Sequence, residues 1–159
     1  TGLTAATTAG KGKVTVDDAA IFTAEFDNGA LGTFEATRFA AGRKNAMSIE
    51  VNGSKGSLYF NFEDMNELLY HDHTISSESA GFRKILTTDG GHPYVNAWWP
   101  PGHIIGYEHT FTHEFYDFLV GVDTKVQPTP SFADGLYVQK VLDAVEASAH
   151  NNSINTAVK

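Results

Sequence analysis

Two histidines four residues apart raise the first question of chemistry. In His109-Thr110-Phe111-Thr112-His113, helical spacing puts both imidazoles on one face, where they could share a metal ion with Glu108 or His103 as a further ligand. The zinc-protease pattern needs Glu directly after the first His, and Thr110 stands there instead. On a helical wheel His109 and His113 point away from the apolar seam of Phe111, Phe115 and Phe118, so they are not core histidines. They face either water or another domain. Three uses remain open: a solvated polar face, a substrate-facing role, or metal binding.

The stretch just before them is the second candidate. Residues 90–109 hold both tryptophans, three of the five prolines and three of the seven histidines. A long loop punctuated by Gly and Pro with no periodicity is more often functional than idle, and Tyr94, Trp98 and Trp99 argue against a solvated linker. Exposed tryptophans stack on sugar rings, while interleaved Asn96, His92 and His103 can hydrogen-bond hydroxyls. The alternative is that the rings only cap the end of a sheet. The stretch reads as a ligand-facing wall, with His92, Trp98, Trp99, His103, Tyr107, His109 and His113 as the substrate-side residues. A third group, His71-Asp72-His73, sits at a strand end and reads as turn chemistry.

No complete catalytic set accompanies this wall. Gly10-Lys11-Gly12 has Thr15 where a dinucleotide fingerprint needs its third glycine, and no helix-opening context follows. There is no P-loop, no G-x-S-x-G elbow and no H-E-x-x-H. Carboxylates are plentiful, but sequence alone places no pair across a cleft. The expectation is therefore no catalytic residue, no cofactor site and no resident metal on this chain.

The elements that must position the wall are strands before it and helices after it. Residues 1–13 read as a flexible lead-in with Gly10-Lys11-Gly12 as its hinge, and 14–159 as one domain. Ala20, Phe22, Ala24 and Phe26 alternate with Ile21, Thr23 and Glu25, a period of two. Asn28-Gly29 then predicts a two-residue type I′ hairpin, which opposes Phe26 to Leu31 and Thr23 to Phe34. That register puts Phe22, Phe26, Leu31 and Phe39 on one face, and Ile21, Thr23, Phe34 and Ala36 on the other. Further strands are predicted around Met47–Val51, Ser57–Phe62, Glu67–Asp72 and Phe82–Leu86, giving a mostly antiparallel meander of at least six. The first helix carries the seam from Tyr107 to Val122 and is expected to end near Gly121. The second opens at Ser131, with Asp134 as a capping-box partner, and buries Val138, Val141, Leu142 and Val145. Ile154 to Val158 is expected as a final edge strand. Strands followed by helices imply an α+β fold, with helices packed on one face of an open sheet and the other face left for subunit association.

Composition narrows the partners. The chain has 159 residues, 42% of them hydrophobic and 12% aromatic, as a soluble domain of ordinary size would. A formal charge of −8 argues against nucleic acid and anionic membranes, whose phosphates need clustered Lys and Arg. No apolar run approaches a membrane span. The lack of cysteine rules out a thiol nucleophile and fits a cytoplasmic protein. The chain starts without Met and is expected to be a fragment of a longer protein.

Three ordered motifs carry a resemblance. Asp18-Ala19-Ala20 leads to Phe26-Asp27-Asn28-Gly29-Ala30-Leu31-Gly32; Ile49-Glu50-Val51-Asn52-Gly53-Ser54-Lys55-Gly56-Ser57-Leu58 follows; and Pro130-Ser131-Phe132-Ala133-Asp134-Gly135-Leu136 runs to Val141-Leu142-Asp143-Ala144-Val145-Glu146-Ala147-Ser148-Ala149. Over about residues 14–159 the chain resembles the C-terminal domain of the glucose–fructose oxidoreductase/inositol dehydrogenase family. The resemblance implies a two-domain NAD- or NADP-dependent oxidoreductase acting on a sugar, polyol or related compound. It also implies that the cofactor is bound by an N-terminal Rossmann domain absent from this chain, and that the sheet forms a homodimer or tetramer. The family's Glu-Lys-Pro motif and its His/Asp helix transfer to no residue here. Rival readings are a carbohydrate-binding module and a metal-dependent hydrolase using His109 and His113.

Overall fold

The computed structural model describes residues 12–159 and divides them into two units, one up to Arg43 and one from Lys44 onward. The Gly10-Lys11-Gly12 hinge and nearly all of the expected lead-in fall at or outside that boundary. Six antiparallel strands and then two α-helices follow in the chain, the α+β order that the hydrophobic periodicities predict. The strands form a two-stranded and a four-stranded sheet.

The first unit is a hairpin of β1 (Ala19–Glu25) and β2 (Leu31–Thr37). Its turn differs from the expected one by a residue. Gly29 N–H donates to Phe26 O at 2.8 Å and Phe26 N–H to Ala30 O at 2.9 Å, and among Asp27, Asn28 and Gly29 only Gly29 has positive φ, at 81°. This is a three-residue loop with a glycine bulge, the second common hairpin solution. Glu25 therefore opposes Leu31, and Phe22 opposes Phe34. A slip of one residue moves a strand's side chains to the other face. Phe34 and Ala36 consequently join Phe22, and Leu31 joins Ile21. Phe22 and Phe34 stack with ring centroids 4.7 Å apart at 9°, whereas Ile21 and Leu31 are 77% and 82% exposed.

The second unit contains β3 (Ser48–Gly53), β4 (Gly56–Asn61), β5 (Glu67–Asp72) and β6 (Arg83–Leu86), paired in chain order. Gly53 opposes Gly56 across a two-residue turn. Gly56 is required there, because a Cβ would fall on the carbonyl oxygen of His71 in the neighbouring strand. The pairings Ile49–Phe60, Val51–Leu58 and Leu58–Tyr70 place these side chains on one face. Ile49, Val51 and Leu58 remain exposed on that face.

Helix α1 (Tyr107–Thr124) runs through Gly121 and stops three residues later, where Lys125 turns left-handed at φ 57°. Helix α2 (Phe132–His150) opens on the expected box: Ser131 Oγ accepts from the N–H groups of Ala133 and Asp134, and Asp134 Oδ2 accepts from Ser131 N–H at 2.6 Å. That backbone bond first, and then the one Ser131 Oγ–H donates to Asp134 Oδ2 at 2.8 Å, hold the Asp134 carboxyl below the usual carboxylate range. Beyond His150 the chain forms no strand, contrary to the expectation for 154–158. Ile154 O instead accepts from Ser148 Oγ at 2.7 Å, so the segment turns back on α2 rather than pairing. Replacing Ser131 with Ala should lower stability by about 1 kcal/mol, read as a shift in the urea midpoint at constant slope.

Candidate functional site

The loop from Thr88 to Ile105 is tied down at both ends. Thr88, itself buried, accepts at its carbonyl from Gly102 N–H at 3.0 Å. Asn66, just ahead of β5, uses its side-chain amide as a surrogate strand: Nδ2–H donates to Ile105 O at 2.8 Å and Oδ1 accepts from Ile105 N–H at 3.0 Å. Between these ties Asn96 Nδ2–H donates to Gly90 O at 2.8 Å, and a short 3₁₀ turn spans Val95–Ala97. Val95, 4% exposed, is the one buried apolar residue among those described. The loop thus sits where this unit packs best.

It packs against the polar stripe of α1. His109, His113, Asp117 and Gly121 recur every four residues and are the half-buried positions of the helix. Trp98 Nε1–H donates to His113 Nε2 at 2.7 Å. Tyr94 stacks on the His113 ring at 4.2 Å and 11°, and its hydroxyl donates to Asp117 Oδ2 at 2.6 Å. The Trp98 ring meets His109 nearly edge-on at 4.3 Å. Tyr94 reaches this position with φ at 67°, a left-handed conformation that costs a non-glycine residue on the order of 1–3 kcal/mol and persists only where the surroundings over-determine it.

The hydrogen bonds define which ring nitrogen of each neutral histidine accepts. Because Trp98 donates to Nε2 of His113, a neutral imidazole there carries its proton on Nδ1. Burial, then the neighbouring His109, pushes the His113 pKa below the ordinary imidazole value against the opposing pull of Asp117. His109 Nδ1 accepts from Gly106 N–H at 3.0 Å, which caps the helix start. Glu108 Oε1 lies 3.4 Å from that same nitrogen. With Gly106 donating to it, however, Nδ1 has no proton to offer, and the pair is a contact rather than an ion pair. The hydrogen bond to Asp117 raises the Tyr94 pKa, because it favours the protonated phenol.

The expected site residues divide accordingly. Trp98, His109 and His113 come together. Trp99 is 52% exposed beside them, and Tyr107 is 54% exposed between the rings of Phe62 and Phe111. His103 turns back on its own loop, with Nδ1 2.9 Å from Pro100 O, and His92 is half-buried. One nitrogen of each paired histidine is already engaged, and no group of three or more His, Asp or Glu converges among the described residues; the hydrolase reading loses its geometric footing. His71 and His73 meet at 4.9 Å, each against a backbone carbonyl, while Asp72 caps Thr74, as turn chemistry would. The Thr74 bonds hold the Asp72 carboxyl below its usual range. No described helix is long and apolar enough to cross a membrane. Asp117 and Asn66 escaped the list of site residues. Asp117 continues the every-fourth-residue stripe and was visible on the wheel, whereas a lone Asn before a strand gives no signal.

Residues 3–158 match the family described as the oxidoreductase family, C-terminal alpha/beta domain. Levoglucosan dehydrogenase from Pseudarthrobacter phenanthrenivorans is 40% identical over 144 residues, 90% of this chain and 37% of that protein. An oxidoreductase domain protein from Kribbella flavida has a solved structure that matches with a TM-score of 0.86 at 62% identity, over 89% of this chain and 37% of the other. Levoglucosan dehydrogenase in complex with NADH and levoglucosan matches with a TM-score of 0.87 at 38% identity, over 94% of this chain and 41% of the other. The chain spans about two fifths of the length of these relatives.

Two outcomes follow from the stripe. Tyr94→Phe should cost about 1 kcal/mol in denaturant unfolding, the net value of a half-exposed bond to a carboxylate. The depressed His113 pKa contributes stability that is complete above the ordinary imidazole value and is lost as pH falls through the lower folded value. Thermal melts of the wild type should therefore drop across that window more steeply than those of His113→Gln.

Proposed function

The chain belongs to the Gfo/Idh/MocA oxidoreductase family, as its C-terminal α/β domain, and on that premise we propose that it is the substrate-side domain of an NAD-dependent dehydrogenase acting on a sugar of the levoglucosan kind. The observation that carries the reading is the 40% identity to levoglucosan dehydrogenase across 90% of this chain. The geometry supports it: an aromatic loop, pinned at both ends, carries Trp99 outward with His92 and His103 on the same loop, a combination suited to a ring with hydroxyls.

NADH accompanies the solved levoglucosan dehydrogenase complex, and we assign the dinucleotide to an N-terminal Rossmann domain of the whole protein. The described helices of this chain do not fit it: α1 opens at Gly106 and α2 at Ser131, neither after a strand and a G-x-G-x-x-G turn. The nicotinamide supplies hydride chemistry in such enzymes; this chain's part is to shape and dry the sugar side. The exposed Ile49, Val51 and Leu58 face of the second sheet is the surface through which we propose that subunits associate.

A carbohydrate-binding module would use the same tryptophans, and affinity separates the two readings. As a dehydrogenase domain, this chain alone should show no heat on calorimetric titration with NADH, and tight binding would overturn the assignment. In the full-length enzyme Trp99→Ala should raise KM for levoglucosan about three- to tenfold, the scale of one lost stacking contact, and leave KM for NAD unchanged. Millimolar-or-better sugar binding by the isolated chain, without dehydrogenase activity in the full-length protein, would favour the module.

A further inference from the structure

We propose that His113 is a positioning residue that, through its acceptor bond from Trp98, divides the paired tryptophans into an anchor and a reader: Trp98 fixes the loop to α1, and Trp99 meets the sugar. The inference rests on the dehydrogenase reading for its last clause, but its first clause stands on geometry alone.

The two rings are adjacent in sequence and opposite in circumstance. Trp98 is half-buried, its indole N–H is used on His113, and its ring meets His109 nearly edge-on. Indole nitrogen is a donor only, so this bond exists only while His113 Nε2 keeps its lone pair. Trp99 is 52% exposed. Tyr94 covers a face of the same imidazole, stacked at 4.2 Å and bonded through its hydroxyl to Asp117. His113 is therefore held at its ring face and its Nε2 by two residues of one loop, and Tyr94 takes a left-handed backbone in making its contact. The titratable groups facing His113 are Tyr94 from the loop and His109 and Asp117 from its own helix, with Trp98 the uncharged partner. Protonating His113 turns its acceptor into a second donor aimed at the indole N–H, which releases Trp98 and lets Trp99 drift.

The test has a spectroscopic arm and a kinetic arm. In the NMR spectrum of this chain, assigned through Trp98→Phe and Trp99→Phe, the Trp98 indole proton should move as His113 titrates, and the Trp99 indole proton should not. In the full-length enzyme His113→Leu should raise KM for levoglucosan about five- to tenfold with KM for NAD unchanged, the factor that loss of one ordering hydrogen bond corresponds to. His113→Gln, which restores an acceptor oxygen, should return KM to within about twofold. Two indole protons that respond alike overturn the anchor itself. A Gln variant as impaired as the Leu variant, or a Leu variant that melts normally with KM unmoved, overturns the positioning role. A full-length protein inactive on levoglucosan removes the dehydrogenase reading, while the indole titration still decides whether Trp98 is an anchor.

Discussion

Helix α1 offers its neighbours two stripes, and the loop before it covers the polar one. His109, His113 and Asp117 have donors and acceptors that must be met if they leave water, and Trp98, Tyr94 and Gly106 meet them one for one. The apolar stripe of Phe115, Phe118 and Leu119 stays 55–66% exposed. That arrangement inverts the usual division of an amphipathic helix. It also sets the site: the aromatic wall lies where it does because specific hydrogen bonds hold it there, and Val95 is its one buried apolar residue among those described.

What could be read in advance follows the range of each interaction. Local chemistry was legible. Ser131 and Asp134 announced the start of α2 three residues apart, and the glycines around Ser54-Lys55 announced a turn. The hairpin at Asn28-Gly29 was legible as a hairpin but not in register, because the same dipeptide serves a two- or a three-residue loop with Gly29 left-handed in both, and they differ in Asn28, whose φ is not positive here. The histidine stripe was visible on the wheel, but the expectation that it faces water or another domain failed: it is half-buried against the loop of its own unit, and the phenylalanine seam is the exposed side. The stripe's partner was not visible, since a Trp fifteen residues earlier can reach His113 only after the loop has closed. Asn66 lies thirty-nine residues from the backbone it holds, a distance at which one polar residue carries no pattern. Fold class was legible through period-two and period-3.6 runs, whereas the division of six strands between two sheets depends on pairing that periodicity does not encode.

Motifs that are weak singly placed the chain in its family, because they occur in a fixed order over most of its length, and the family match over 3–158 agrees.

The double tie at Thr88–Gly102 and Asn66–Ile105 closes the intervening loop on itself, as the waist of an omega closes its bow. A segment pinched this way can lengthen or shorten without transmitting the change to the strand before it or the helix after it. The fold therefore keeps an interchangeable cassette between β6 and α1, one that can be replaced while the strands, the helices and their register are inherited intact.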